Sequence, residues 1–226
     1  MKIQRFPLEI KPGKIICVGL NYPPPNRDAG WLPPPYPVLF QKPSSTLIGS
    51  GAAIVLPRIS KMVLYEGELA VVIGTRTKNV PIDDAFEVVD GYTIANDVGA
   101  ADIEARSSQW ASGKMFDTFC PLGPSLIPSD EITNPNDLAI KTTLNGQIVQ
   151  DGNTREMIFD VPFLIQYISQ LTTLEPGDII LTGSPKRAGD LPDPRTPLKP
   201  GDSISIEIEG LGVLTNSVLA EVGSDE

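Results

Sequence analysis

The 226-residue sequence contains no histidine. That absence excludes imidazole-based metal sites, Ser-His-Asp arrangements and the ordinary imidazole general base. Cysteine is nearly absent as well. Cys17 and Cys120 are the only two, too few and too far apart for a structural zinc site or a disulfide framework, and such usage fits a reducing compartment. No apolar run approaches the length that spans a bilayer. The opening Met1-Lys2-Ile3-Gln4-Arg5-Phe6 lacks the long apolar segment of a signal peptide. Positive charge is scarce: 18 Lys and Arg against 28 Asp and Glu leave a net charge of −10. Nucleic-acid and anionic-membrane binders need a basic face, so neither partner is expected, and the expected location is cytoplasmic. An acidic small molecule could be held only where a metal or a placed Lys or Arg reverses the local field.

Proline and carboxylates are what the chain has in quantity. Its 23 prolines are about a tenth of the residues, roughly twice ordinary usage, and suit short strands and many turns. Lys14 to Leu20, 38–42, 53–56 and 91–98 read as strands. Residues 81–89 read as a short helix with Asp83 and Asp84 in its first turn. Residues 138–149 form a hairpin pattern around Asn145-Gly146, and Asp160 caps a helix whose apolar residues Val161, Leu164, Ile165, Ile168 and Leu171 keep helical spacing. Glu175-Pro176-Gly177-Asp178 and Lys199-Pro200-Gly201-Asp202 open the strands 179–182 and 204–208 with the same turn chemistry. No domain boundary stands out, so residues 1–226 are read as one β-rich α+β domain. The proline-dense stretch 23–37 is either a rigid surface loop or a lid over a site.

Glu66 and Glu68 are the most informative pair. They lead into Leu69-Ala70-Val71-Val72-Ile73-Gly74, a strand pattern, and residues two apart on a strand face the same side. Two carboxylates there repel unless positive charge sits between them; a hard divalent cation held by oxygens is the usual solution. Asp97, in Ala95-Asn96-Asp97-Val98, ends another strand pattern. Alone it reads more readily as a turn cap, but with Glu66 and Glu68 it offers three carboxylates to one cation, with positions left for substrate and water. Without imidazole or thiolate, the metal would be Mg2+ or Mn2+, with Ca2+ also open. A lone lysine such as Lys114 is ordinarily a solvated surface residue.

These pieces, taken in order, resemble the fumarylacetoacetate hydrolase family over almost the whole chain: VGLNY, QKPSS, YEGELAVVIG, GYTIANDV, GKMFDTFCPLGP, LNGQIVQDGNT, LEPGDIILTGSP and LKPGDSISIEIEGLG. The resemblance implies a mixed β-sandwich roll and a homodimer. It also implies Mg2+ or Mn2+ on Glu66, Glu68 and Asp97, with Lys114 as active-site lysine and Tyr22 and Thr182 as substrate contacts. Members cleave or rearrange 1,3-dicarbonyl and 2-oxo acids by C–C hydrolysis, decarboxylation, isomerisation or tautomerisation, and all of these pass through an enolate that a chelated cation stabilises. The chain departs from the pattern in three places. Where the family's lid carries a His–Glu dyad, Pro25 and Asp28 stand here. Four and seven residues after Asp97, where an arginine and a glutamine are usual, stand Ala101 and Glu104, with Arg27 or Arg106 as candidate replacements. The usual Leu-Thr-Gly-Thr-Pro turn reads LTGSP. Loss of a general base costs about 10²–10⁴ in rate and affects water activation more than enolisation. The expectation is therefore metal-assisted enolate chemistry with Asp28 or Glu104 as proton shuttle. A biosynthetic isomerase or cyclase on a larger dicarbonyl, and a non-catalytic metal-binding scaffold, are the alternatives.

Overall fold

The computed structural model describes residues 12–24, 30–185 and 196–222. In chain order the strands are β1 (Ile15–Gly19), β2 (Val38–Lys42), β3 (Leu47–Ile48), β4 (Ala53–Leu56), β5 (Val63–Leu64), β6 (Gly67–Ile73) and β7 (Val89–Asn96). They continue as β8 (Gly99–Ala100), β9 (Cys120–Pro128), β10 (Ala139–Leu144), β11 (Gln147–Asn153), β12 (Ile179–Leu181), β13 (Ser203–Ile208) and β14 (Gly212–Ala220). The α-helices are α1 (Ala101–Glu104), α2 (Ala111–Lys114) and α3 (Val161–Leu171).

One sheet has the order β2-β1-β12-β6-β7-β9-β3, a second β11-β10-β13-β14-β4, and β5 pairs with β8. Parallel pairs (β1 with β12, β3 with β9, β14 with β4) interrupt otherwise antiparallel ladders, which makes both large sheets mixed. Period-2 alternation explains how they stack. Leu69, Val71 and Ile73 of β6 and Tyr92 and Ile94 of β7 point into a core shared with Ile140, Ile206, Ile208 and Leu214 of the second sheet and Val161, Leu164, Ile165 and Ile168 of α3. The intervening Ala70, Val72 and Ala95 point to the opposite face, with Cys17, Cys120 and Leu122. Being buried on both faces, β6 is apolar without a break after Glu68. The architecture is the β-rich α+β sandwich expected.

Several local readings hold in detail. Asp160 caps α3 by accepting a 3.0 Å hydrogen bond from Phe163 N. Asn145 and Gly146 both have positive φ, 50° and 82°, and join β10 to β11, as a type I′ turn requires. In the two Pro-Gly-Asp turns Gly177 and Gly201 take φ of 86° and 92°. Each Asp returns a carboxylate to the turn's first amide: Asp178 to Glu175 N at 2.8 Å, Asp202 to Lys199 N at 2.7 Å. The short helix read over 81–89 is present as a 3-10 helix over residues 82–88; the two residues it buries, Ala85 and Val88, are three apart, and a three-residue period brings both to the core.

Candidate active site

Glu66 stands one residue before β6, and Glu68 is the second residue of that strand. The β6–β7 register pairs Gly67 with Asn96 and Glu68 with Ala95, so Asp97, just past β7, falls opposite Glu66; its amide donates to Glu66 O at 2.8 Å. One ligand oxygen from each of Glu66, Glu68 and Asp97 lies within 4.8 Å of the others. Glu68 and Asp97 are buried and Glu66 is half-buried. Asn96 helps fix this corner, its side-chain oxygen accepting from Glu66 N at 3.0 Å.

Two ammoniums hold the acids together. Lys114, at the end of α2, donates to Glu66 Oε2 at 2.7 Å, lies 3.0 Å from Asp97 Oδ2, and reaches Asp97 O at 3.3 Å. Its Nζ is 5.4 Å from the Phe40 ring centroid, within cation–π range. Lys42, the last residue of β2, donates to Asp97 Oδ1 at 2.6 Å and Val98 O at 2.8 Å from a fully buried position. No role for Lys42 was readable from a single lysine. The signal that could have found it is alternation, which puts residue 42 on the same side of β2 as Phe40.

These groups open onto a cavity of about 260 Å³ lined by Leu20, Tyr22, Phe40, Trp110, Ser184 and the site acids, among others. Glu68 Oε2 accepts from Gly183 N at 2.7 Å. Burial, with Asp97 and Glu66 close by, raises the Glu68 carboxyl well above its ordinary range. Burial also raises Glu104, partly offset by Lys114 and reinforced by Glu66 and Asp97. For Lys114, burial favours the neutral amine, but Asp97, Glu66 and Glu104 together outweigh it and keep the ammonium. Glu104 reaches the cavity between Gly99 and Gly113, where a Cβ at either position would collide with the Glu104 side chain. Burial pushes both thiols up, Cys120 to about 12, which favours their protonated forms.

Tyr22 lines the cavity, and its buried hydroxyl has no hydrogen-bond partner among the described residues. Burial, then Glu68 and Glu156, keep that phenol protonated. Thr182, expected as a substrate contact, is fully buried and outside the cavity lining, its hydroxyl donating to Leu69 O at 3.0 Å; two residues on, Ser184 takes a place in the lining. Ser184 is held by Gln150, whose Nε2 donates to its Oγ at 2.6 Å while Oε1 accepts from Gly67 N. Asn21 ties the same turn through a 2.7 Å bond to Thr182 O. Asp28, Arg27 and Pro25 lie outside the described residues; of the stretch 23–37 read as a surface loop or lid, residues 23–24 and 30–37 are described, and none of these is in the cavity lining. Arg106 is exposed and not part of the lining. Among the described residues no helix is long and apolar enough to cross a membrane.

Comparison with known proteins places this arrangement. The profile of the fumarylacetoacetate (FAA) hydrolase C-terminal family matches residues 14–219. An uncharacterised protein of Pyrococcus abyssi is 48% identical over 217 residues, covering 94% of this chain and 93% of its own. The mitochondrial oxaloacetate tautomerase of Homo sapiens is 44% identical over 211 residues, covering 92% of this chain and 67% of that protein. Among solved structures, a 5-carboxymethyl-2-hydroxymuconate delta-isomerase from Mycobacterium smegmatis superposes with a TM-score of 0.84 at 40% identity, over 95% of this chain and 81% of that one. The chain belongs to the fumarylacetoacetate hydrolase family.

Proposed function

We propose that this member of the fumarylacetoacetate hydrolase family is an enzyme that moves protons on a 2-oxo acid or 1,3-dicarbonyl compound through its enolate, with a divalent cation held by Glu66, Glu68 and Asp97. The observation that carries the reading is the convergence of three carboxylates and the Lys114 ammonium on one cavity. The donor set fits a cation of this kind. All three donors are carboxylate oxygens, which suit Mg2+ or Mn2+ and also Ca2+. Lys42 and Lys114 offset two of the three negative charges, so the cluster retains a net attraction for a dication. When bound, such a cation supplies several kcal/mol of stabilisation to an enolate through its oxygens.

The chain's own groups supply the remainder. Lys114 presents a fixed positive charge to the substrate's developing negative charge. Glu104, whose carboxyl burial raises above its ordinary value, takes the proton from the carbon beside the carbonyl and returns it. Phe40 and Trp110, whose rings meet edge-on at 5.9 Å, exclude water and so strengthen the electrostatics inside. The neutral Tyr22 hydroxyl offers a hydrogen bond to a substrate oxygen. Keto–enol interconversion and double-bond isomerisation need only this one proton shuttle, whereas hydrolysis also needs an activated water, so the former are favoured. Relatives named as a tautomerase and an isomerase support that choice. The reading includes a homodimer, checked by light scattering as a single species of twice the chain mass.

The test is proton exchange in D2O with a panel of 2-oxo acids and acylpyruvates, followed by NMR with Mg2+ or Mn2+ and with EDTA. Metal-dependent deuterium uptake beside the carbonyl is expected, with a loss of about 10²–10⁴ in Glu104→Gln. Full metal-dependent activity in Glu68→Ala, or exchange indifferent to EDTA, would remove the assignment.

A further inference from the structure

Gln150 joins the backbone that carries two of the site acids to the serine of the cavity wall. It stands on β11 in the second sheet and is almost wholly buried. Its Oε1 accepts from Gly67 N at 3.1 Å, between Glu66 and Glu68. Its Nε2 donates to Ser184 Oγ at 2.6 Å and to Pro185 O at 3.1 Å. Backbone groups at both ends fix which way round this amide sits. An N–H can only donate, so Gly67 N meets Oε1; a carbonyl can only accept, so Pro185 O meets Nε2. The other Nε2 hydrogen then falls to Ser184 Oγ. Ser184 accepts in that bond, so its own proton is turned away from Gln150 and left for the cavity that Ser184 lines.

Both ends of the link are rigid. A Cβ on Gly67 would run into Thr142 and Ile206 of the second sheet, and one on Gly183, whose φ is 96°, would collide with Asn21. Gly183 N also donates to Glu68 Oε2 at 2.7 Å, so the serine is held relative to the acids at two points.

We propose that Gln150 is a positioning residue that fixes Ser184 as a hydrogen-bond donor toward the bound compound, so that the site favours an anionic oxygen, a carboxylate or an enolate, at that place. The proposal rests on the reading of this cavity as the site of an enolate-forming enzyme. An unrestrained serine hydroxyl donates or accepts as its neighbours require; held by Gln150 it offers a donor in advance. Such a bond is stronger to a charged oxygen than to a neutral one. It therefore gains strength as a ketone becomes an enolate, with no reorganisation of the protein.

Calorimetric titration of the full chain in Mg2+ at pH 8 with oxalate, a chelating dianion that carries only acceptors, tests this without turnover. Ser184→Ala is expected to weaken binding by about ten- to a hundredfold, the worth of one hydrogen bond to a charged group. Ser184→Thr, which keeps the hydroxyl, should restore it. Gln150→Glu keeps the shape of the side chain but presents only acceptors, so the Ser184 proton turns to it and away from oxalate, with a loss of similar size. In the Ser184→Ala background the same change should cost little more, because the hydroxyl it acts through is gone. Gln150→Met, of similar length and without the added charge, repeats the comparison if the glutamate variant does not fold, and should show the same dependence on Ser184. Equal losses in both backgrounds, as added charge or a structural fault would give, would overturn the proposal. Wild-type affinity in Ser184→Ala, or in the Gln150 variants, would overturn it too. Failure of the wild type to bind oxalate in Mg2+ would overturn the enolate reading itself and the proposal with it.

Discussion

A lysine ammonium whose hydrogen bonds all end inside the protein, as those of Lys42 do, is costly to bury and costlier to leave half-paired. Lys42→Met would leave the buried Asp97 carboxylate with Lys114 as its remaining ammonium among the described residues, and a loss of about 3 kcal/mol is expected by urea unfolding in EDTA. Added Mg2+ should recover more stability in the variant than in the wild type, since the cluster then carries a larger uncompensated negative charge. Glu68 makes the opposite prediction. Its folded carboxyl is raised above the unfolded value, so the native state holds the extra proton as pH rises out of the ordinary glutamate range. Across that window, stability in EDTA should fall with rising pH by up to about 1.4 kcal/mol per unit. Glu68→Gln should flatten the slope and, at pH 8 without metal, be more stable than the wild type. A variant of unchanged slope would sink this account. A residue kept at a cost in stability is understandable where it holds a cation. Glu66 and Glu68 were legible from spacing alone; Lys42 was not, because a single lysine in a sequence is ordinarily solvated and only burial distinguishes it.

At the scale of elements, two identical turns make a controlled comparison. Asp178 and Asp202 close the same Pro-Gly-Asp turn, and the sequence shows no difference between them. Asp178 is fully buried and also accepts from Lys14 N at 2.9 Å and pairs with the Lys14 ammonium; among the described residues the Asp202 carboxylate adds only a bond from Asn145 near the surface. Asp178→Ala is expected to cost about 3 kcal/mol and Asp202→Ala about 1 kcal/mol, read as shifts in thermal midpoint. Asp160→Ala, which uncaps α3, should cost about 1 kcal/mol. Strands that are unbroken apolar runs between Gly and Pro, such as β1 and β6, could be read directly. Two were not. β9 contains Pro121, Pro124 and Pro128, which ordinarily argue against a strand, yet it is held between β7 and β3. β14 buries Leu214, Asn216 and Val218 on one face, and the asparagine hides the alternation. Its amide is satisfied by Gly49 O and Ala52 O, partners that no local pattern reveals.

For the whole molecule, the site is assembled from β2, the β6–β7 pair and α2, so occupancy by a cation should stabilise the fold globally. With Mg2+ at a hundred times its dissociation constant the gain is about 2.7 kcal/mol, seen as an upward shift in thermal midpoint that EDTA reverses; an unchanged midpoint with Mg2+ binding absent by calorimetry would remove the cation site. The three-acid set was legible because strand period and motif order agree, whereas its placement beside Lys114 and Lys42 depends on pairings between distant segments. The central sheet has a consequence for how the protein is made. β12 is only three residues long, yet it sits between β1 and β6, with Ile15 against Ile179 and Val72 against Ile179 on its two sides. A ribosome delivers β1 and β6 early and β12 late, so during synthesis two apolar strand edges wait open for a partner not yet made. Nascent chains truncated before Ile179 should therefore aggregate and recruit chaperones, and slower translation at low temperature should lengthen that exposure.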